Sequence, residues 1–447
     1  MPMEEFLTRC EQVRKRVLAM DHPLVVGHYD ADGLAATALI AKALRLEHKQ
    51  FSVMTVDKLA EPEVEQLGQY GEIVFCDLGS SSLDNLGPLK SKNVAIIDHH
   101  QVAGNEDPNE LLQANGALFG LDGATELSGA STAYFVFRRP ELISLGIAGA
   151  VGDMQAPLRG PNRTMLADGI KAGTVSAELD LQPFGRISRP LVQFLSYCTE
   201  PFLPGLTGDN TACARFLKDL GIPLKAGLNW RSYADLSLAE KQTLATGLIC
   251  WLRSANVEPA KVHALVGECY VLHDQPARTE LSDAKEFATM LNACGRHGKP
   301  DIGIKAALGD KEAFETARTM LEAHRKTLRE GVTWASANVN DWGKIHFLDA
   351  RGVIEEHIVG TIAGMLYGST ISRDKPVFAA AAKQGEGIKV SARATFDLTD
   401  KGLNLGAVLK TVCEPIGGAG GGHRVAAGAT VPEGKLNDFL LGLAEAL

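Results

Sequence analysis

LVVGHYDADG, residues Leu24 to Gly33, sets an apolar run directly against His28, Asp30 and Asp32. The same form returns in IVFCDLG (Ile73 to Gly79), VAIIDHH (Val94 to His100) and IAGAVGDM (Ile147 to Met154). These deliver Asp77, then Asp98 with His99 and His100, then Asp153. Taken alone, Asp30 and Asp32 before Gly33, or Asp153, fit ordinary helix N-caps. Asp77 alone fits a strand-end turn, and His99-His100 a surface pair. Four apolar segments that each carry Asp or His to one end of a sheet point instead to a shared site. Carboxylate and imidazole donors together suit Mn²⁺, Mg²⁺ or Zn²⁺, and about seven of them suffice for two ions. Two such ions are the usual apparatus for in-line attack on a phosphate ester.

The segments between these runs set the fold class. Leu24–His28, Phe51–Val56, Ile73–Cys76 and Val94–Ile97 are short, continuously apolar and flanked by Asp, Gly or Ser, as buried strands of a parallel sheet are. Gly33–Leu46, Glu61–Gln69, Thr132–Arg139 and Glu141–Val151 read as the intervening helices. Strands alternating with helices predict a doubly wound α/β sheet, whose ligands bind beyond the carboxyl ends of the strands. The candidate ligands lie there.

At 447 residues the chain is long enough for two or three domains. We read residues 1–165 as the catalytic α/β domain, 166–340 as a mostly helical insertion or connector, and 341–447 as a smaller α/β domain. The middle carries helical patterns at Thr211–Leu220, Leu238–Ser254 and Lys311–Arg329. Asp283-Ala-Lys-Glu286 opens another with a capping-box pattern that Gly295 can close in the left-handed conformation. Pro183, Pro190, Pro201 and Pro204 mark 183–208 as a connector. The cluster Arg325, Lys326 and Arg329 reads as a solvated helix face. Strands return at Lys344–Leu348, Pro376–Ala381 and Ile388–Ala392.

The composition excludes some classes of function. No run of 18 or more apolar residues is present, so no membrane span is expected. MPMEEFLTRCEQVRKRVL is charged and amphipathic, without the apolar region of a signal peptide. Eight cysteines are scattered without a CxxC pair, which reads as reduced thiols of a cytoplasmic protein. A net charge of −9 argues against broad binding to duplex nucleic acid, but not against a nuclease with an acidic metal site.

GGAGGGHRVAAGATV, Gly417 to Val431, is the other informative stretch. Its glycines, Gly420, Gly421 and Gly422 among them, leave backbone N–H groups unobstructed. A following helix N-terminus beside them would make an anion cradle, with His423 and Arg424 adding charge. A flexible loop is the plainer alternative. Dinucleotide binding is rejected, because the glycines do not follow the first strand of a βαβ unit. For Arg393 and Arg296, substrate binding stands against a solvated surface role.

HYDADG, CDLG, IDHH and GAVGD resemble the four motifs of the DHH phosphoesterase superfamily. GGAGGGHRVAAG resembles the glycine-rich signature of the DHH-associated domain found in its nuclease branch. The resemblance covers roughly 24–155 and 345–447. Length, the helical middle and LNACGR (Leu291 to Arg296) are most similar to the archaeal RecJ-like proteins, including the GINS-associated nuclease group. It implies a catalytic domain and a substrate-clamping domain that admit single-stranded DNA or RNA, with GINS as a candidate partner. It also implies that His28 and Asp30 hold one metal, that Asp32, His99 and Asp153 hold a second, and that Asp77 bridges both. His100 would face the scissile phosphate and Asp98 would orient the histidines. The Gly420–Gly422 stretch, His423, Arg393 and Arg296 would contact substrate. The ions expected are two Mn²⁺, with Mg²⁺ as a substitute. The implied activity is single-strand exonuclease action, 5′ to 3′, releasing nucleoside monophosphates. Alternatives are an oligoribonuclease or nucleotide phosphatase of the same superfamily, and a replication-complex scaffold. Against the DHH pyrophosphatases, His28 and Asp30 are spaced too closely.

Overall fold

The apolar runs of the first hundred residues fold as the strands of one sheet. The computed structural model describes residues 2–102, 111–198, 201–368, 370–383 and 387–447. In it β1 (Leu24–His28), β2 (Ser52–Val56), β3 (Glu72–Cys76), β4 (Asn93–Ile97) and β5 (Leu112–Ala114) pair in parallel, in the order β2-β1-β3-β4-β5. Continuous rather than alternating hydrophobicity has a direct cause here. Val74, Cys76, Ala95 and Ile97 feed the core on one face, while Ile73, Phe75, Val94 and Ile96 feed a second core on the other. Both faces of each central strand are covered, so neither set can be polar.

Chain order doubles back at β1, with β2 on one side and β3 on the other. That makes β1/β3 the switch point, where loops diverge and leave room for a site. Register then fixes which residues meet. Gly27 pairs with Cys76 and Cys76 with Ile97, so the next residues, His28, Asp77 and Asp98, leave the sheet in one row.

The helices of the first face are α1 (Pro2–Ala19), α2 (Ala31–Leu46), α4 (Gly129–Phe137), α5 (Ile143–Gly152) and α6 (Gly160–Ala172). On the other face α3 (Glu61–Leu67) contributes Val64 and Leu67. The α2 helix is buried around most of its circumference, and Ala31, Gly33, Ala35, Ala36 and Ala38 let its neighbours approach closely. The fourth apolar run, IAGAVGDM, lies in the helix expected at Glu141–Val151 and not in a strand. It is the end of α5, and Asp153 is that helix's C-cap. Ile143 to Ala150 are all buried, which is why this helix is apolar all round.

The middle of the chain is helical, with a two-stranded antiparallel ribbon of β6 (Val175–Leu181) and Val266–Leu272. Residues 183–208 are not a bare connector. Helix Leu191–Ser196 lies inside them, and Leu191, Phe194 and Leu195 join a separate core with Leu217, Tyr233 and Leu248. The prolines limit helix length there, but the apolar residues between them still need burial. Helix Ala284–Arg296 then returns to the α2/α5 core through Phe287, Met290, Leu291 and Cys294. Its N-cap is Asp283, which accepts from the Lys285 and Glu286 amides. Glu286 does not complete a capping box; its carboxylate accepts from the Ile187 and Ser188 amides instead. Gly295 does not end the helix in the left-handed conformation either, which falls at Gly298 (φ 66°). A Cβ at Gly295 would collide with the Tyr29 carbonyl, so close approach is what requires glycine there.

Two compact units result: Met1–Cys198 with Leu203–Leu321, and Thr199–Phe202 with Glu322–Leu447. The second holds a mixed six-stranded sheet in the order Asn340–Asp341, His346–Asp349, Val377–Ala382, Ile388–Arg393, Ala426–Val431, Ala419–Gly422. No helix among the described residues is long and apolar enough to cross a membrane.

Arg186 is the charged residue on which the middle segment most depends. It is buried and reaches Asp180 at 2.6 Å and Asp283 at 3.2 Å. Arg186→Met would leave Asp283 without its cation and Asp180 with Lys241 alone, 3.3 Å away, and should cost about 3–5 kcal/mol. A shift of the urea midpoint checks this, and an unchanged midpoint would show that the pair is solvated in solution.

Candidate metal centre

Each side chain at the end of the first sheet is held by a local device. His28 is the last residue of β1. Asp30 is the N-cap of α2, accepting from the Gly33 amide at 2.9 Å, so it fills the plain capping role as well as facing the cluster. Asp32 lies in the first turn of α2 and is 2% exposed. It accepts from Ser128 Oγ (2.9 Å) and from the Gly129 (2.6 Å) and Ala130 (3.0 Å) amides. Those donors are the N-terminus of α4, where unpaired amides and the helix dipole favour an anion.

Asp77 follows β3 with φ 60°, a left-handed conformation that is uncommon outside glycine, asparagine and aspartate. Its amide continues the sheet by donating to the Ile97 carbonyl at 2.9 Å. The side chain is 1% exposed, and its Oδ1 has no hydrogen-bond partner. His28 Nδ1 is likewise buried without an aligned partner, although it lies 3.1 Å from Asp30 Oδ2 and 3.7 Å from Asp77 Oδ2.

His99 Nδ1 lies 2.7 Å from the Gly123 carbonyl, which can only accept, so the proton sits on Nδ1. Nε2, 3.2 Å from Asp77 Oδ1 and 3.8 Å from Asp32 Oδ2, keeps its lone pair for the cluster. Asp98 is fully buried. It accepts from the Ser80 amide (2.9 Å), the His99 and His100 amides (2.7 and 3.2 Å) and His100 Nδ1 (2.7 Å). A carboxylate so saturated orients the histidines, and it fixes His100 with Nε2 available. Asp153 accepts from Gln155 Nε2 at 2.7 Å and lies 3.7 Å from His99 Nδ1.

The donor atoms fall into groups that could hold metal. His28, Asp30 and Asp77 form one, Asp32, His99 and Asp153 another, and Asp77, Asp98, His99 and His100 a third, with donor atoms in each within 4.8 Å of one another. Buried acceptors without donors, mixed with imidazole lone pairs, are a chemical fit to divalent cations.

The electrostatics agree. Burial disfavours the charged form of every group in the cluster. For His28 the Asp30 and Asp77 carboxylates overcome it and push the pKa up to about 11. His100 is pushed up to about 9, because Asp98 outweighs the cost of burial. Burial, with Asp77 adding to it, raises Asp153 to about 6 against the pull of His99. Burial, Asp77 and Asp153 hold Asp32 well above the usual carboxylate range. Protons stand in for cations here.

Of the residues expected to touch substrate, Arg296 ends the helix whose Gly295 abuts the Tyr29 carbonyl, beside the His28–Asp30 loop. The others belong to the second unit. Arg393 pairs in register with Ala426, and the Ala426 carbonyl accepts from the His423 amide, so both lie at one end of that sheet. The glycine cluster differs from expectation. Ala419–Gly422 is an edge strand paired with Ala426–Val431, and no helix N-terminus follows it. Helix Leu405–Cys413 packs on it so closely that a Cβ at Gly420 would come 2.5 Å from the Leu409 carbonyl; at Gly421 that space is open.

Sequence reasoning misses some supporting residues. Ser128, Gly129 and Ala130 cradle Asp32, and Gly123 and Gln155 fix His99 and Asp153. The one local signal is Ser128-x-x-Ser131, a capping box that marks the start of α4. A Cβ at Gly129 would come 2.6 Å from Asp77 Oδ1. Gly129→Ala should therefore weaken Mn²⁺ binding by roughly tenfold or more in calorimetry while leaving the far-UV spectrum intact.

A pH dependence follows with a definite sign. In the metal-free chain His28 and His100 have folded pKa values above their ordinary 6.5. Their stabilisation is complete below pH 6.5 and is lost as pH rises through about 9 and about 11. Asp153 loses its share as pH rises from 3.8 through about 6. Cations compete with those protons, so Mn²⁺ affinity should rise with pH, and Mn²⁺ added near neutral pH should release protons in a pH-stat. Binding without proton release would remove the histidines from the ligand set.

Family models match three stretches of the chain. That described as the DHH family, N-terminal domain, covers residues 23–147; the DHH-CID domain covers 183–266; and the DHHA1 domain covers 344–447. The uncharacterized protein MJ0831 of Methanocaldococcus jannaschii is 30% identical over 429 residues, 93% of this chain and 91% of the relative. RecJ of Thermus thermophilus, solved with Mn²⁺, superposes with a TM-score of 0.62 at 17% identity. The match covers 99% of this chain, which spans only 54% of that protein. CDC45 of Entamoeba histolytica gives a TM-score of 0.65 at 13% identity, covering 99% and 98%. The chain belongs to the DHH phosphoesterase superfamily and is built on its RecJ-like fold.

Proposed function

We propose that this protein is a metal-dependent exonuclease that hydrolyses phosphodiester bonds of single-stranded DNA or RNA. The observation that carries this reading is that the group His28–Asp30–Asp77 adjoins the group Asp32–His99–Asp153 at Asp77, whose buried Oδ1 lies 3.2 Å from His99 Nε2 and lacks an aligned hydrogen-bond donor. His28 and Asp30 would hold one cation and Asp32, His99 and Asp153 the other, with Asp77 as a ligand available to both. Two Mn²⁺, replaceable by Mg²⁺, would polarise the phosphoryl oxygens and acidify the attacking water.

The chain's own residues do the rest. His100, its Nδ1 proton committed to Asp98, has Nε2 as its remaining ring nitrogen, and an Nε2–H there would donate to a phosphoryl oxygen. Asp98 does not titrate with it: burial is outweighed by the His100 contacts, which hold its carboxyl well below the usual range. His99 is kept in its lone-pair orientation by the Gly123 carbonyl. In the second unit Arg393 and His423, at one sheet end with the Gly420–Gly422 strand, grip phosphate, as does Arg296 in the first.

An acidic chain suits a single strand better than a duplex face. We further propose 5′ to 3′ polarity, release of nucleoside monophosphates, and action beside a replication complex such as GINS. Retention of every ligand favours the enzyme over a silent scaffold.

Chelation by excess EDTA should abolish hydrolysis, and Mn²⁺ should restore it at least as well as Mg²⁺, whereas Ca²⁺ should not. End-labelled strands of both polarities and sugars, run beside closed circles, test the substrate form; equal cutting of circles would mean an endonuclease. Asp77→Ala should abolish cleavage while sparing strand binding. His423→Ala and Arg393→Ala should each cost about 1.5–3 kcal/mol, roughly 10- to 100-fold in kcat/KM, for long strands and dinucleotides alike.

A further inference from the structure

Helix α5 ends in a complete Schellman cap. With Asp153 as the C-cap, the Met154 amide donates to the Val151 carbonyl at 3.1 Å and the Gln155 amide to the Ala150 carbonyl at 3.0 Å. The residue after the C-cap must adopt the left-handed conformation in this motif, and glycine is the usual occupant because it has no Cβ. This chain places Met154 there, with φ 59°. Packing does not compensate, since Met154 is 89% exposed, the second most exposed large hydrophobic residue among those described. A strained backbone that displays an apolar side chain to water contradicts both local preference and burial.

Its position supplies a reason. Met154 is bonded directly to Asp153, whose carboxylate belongs to the group with Asp32 and His99. The end of α5 packs on the start of α2: a Cβ at Gly152 would come 2.7 Å from that of Ala31. The donors of the cluster are carboxylates and imidazoles, which recognise phosphate and metal but give an apolar ring little to pack on. A thioether is polarisable and favours contact with aromatic faces.

We propose that Met154 is a substrate-contacting residue that packs on the nucleobase of the nucleotide whose phosphate lies at the metal centre. The site then selects nucleotides over base-free sugar phosphates without reading base identity, because each base has an apolar face. This rests on the phosphodiesterase reading only for the position of the phosphate.

Binding tests it independently of hydrolysis. With Mn²⁺ present, the protein should bind AMP roughly two- to twelvefold more tightly than ribose 5-phosphate in calorimetry, the range expected of one thioether–ring contact. Met154→Gly, which suits the backbone, should erase that preference by weakening AMP alone, with Mn²⁺ affinity unchanged and Tm unchanged or higher. Met154→Leu should keep part of the preference, through apolar contact without sulfur. Equal affinities for the two ligands in the wild-type protein, or an undiminished preference in Met154→Gly, would overturn the proposal. If the preference behaves as expected but no strand is hydrolysed, the nuclease reading fails and the nucleobase contact stands.

Discussion

The carboxylates of Asp30, Asp32, Asp77 and Asp153 are gathered with His28, His99 and His100 at one end of a sheet, largely out of water. Burying like charges together is unfavourable unless each is answered, and the answers are unequal. Asp98, at the base of the cluster, accepts from three amides and an imidazole. Asp32 accepts from a hydroxyl and two amides at the start of α4. Asp77 keeps an oxygen with no donor, on a backbone twisted to φ 60°. Asp98 is therefore an orienting group, whereas Asp77 keeps an acceptor that a cation could answer, and His28 holds a proton that a cation would replace. The unsatisfied acceptor and the strained backbone coincide at Asp77, which belongs to the group with His28 and Asp30 and lies 3.2 Å from His99 of the other.

Such a cluster requires main chain to come very near main chain. Gly129 stands against Asp77, Gly149 against Asp32, Gly33 and Gly123 against the backbone of His28 and His99, and Gly295 against Tyr29. None of these five has a left-handed φ. What they share is that a Cβ would occupy space held by a ligand or by the carbonyl beside one. The alanines along α2 serve the same purpose, letting α4 and α5 approach until the start of one and the end of the other reach the same cluster. Small residues bring the ligands together, and the large apolar residues of the sheet hold them in register.

This division explains what can be read from sequence alone. Strands β1, β3 and β4 are legible because buried parallel strands are short and apolar on both faces, and His28, Asp77 and Asp98 then follow from position. The same apolar-run pattern finds Asp153, although its run is the largely buried end of the helix expected at Glu141–Val151 and not a strand. The glycines from Gly417 to Gly422 suggest a loop before a helix, since glycine has no strand preference. They form an edge strand because Leu405–Cys413 lies directly on Gly420, a contact that local sequence does not record. The Asp32–Ser128 bond joins residues 96 apart, and only the closing of the fold reveals it.

The middle segment gains a structural meaning from the same logic. Asp283 and Glu286 begin the helix Ala284–Arg296, and both are bound by the neighbouring stretch, Asp283 by the Arg186 guanidinium and Glu286 by the Ile187 and Ser188 amides. Near the far end of that helix, Gly295 reaches the Tyr29 carbonyl, between His28 and Asp30. Buried ionic contacts therefore continue, through one helix, to the loop that carries two of the proposed ligands. This contiguity is one of packing. It shows why a region with no ligand of its own still bears on the site: the helix that confines Tyr29 is anchored at its other end by charges that the 183–208 segment neutralises.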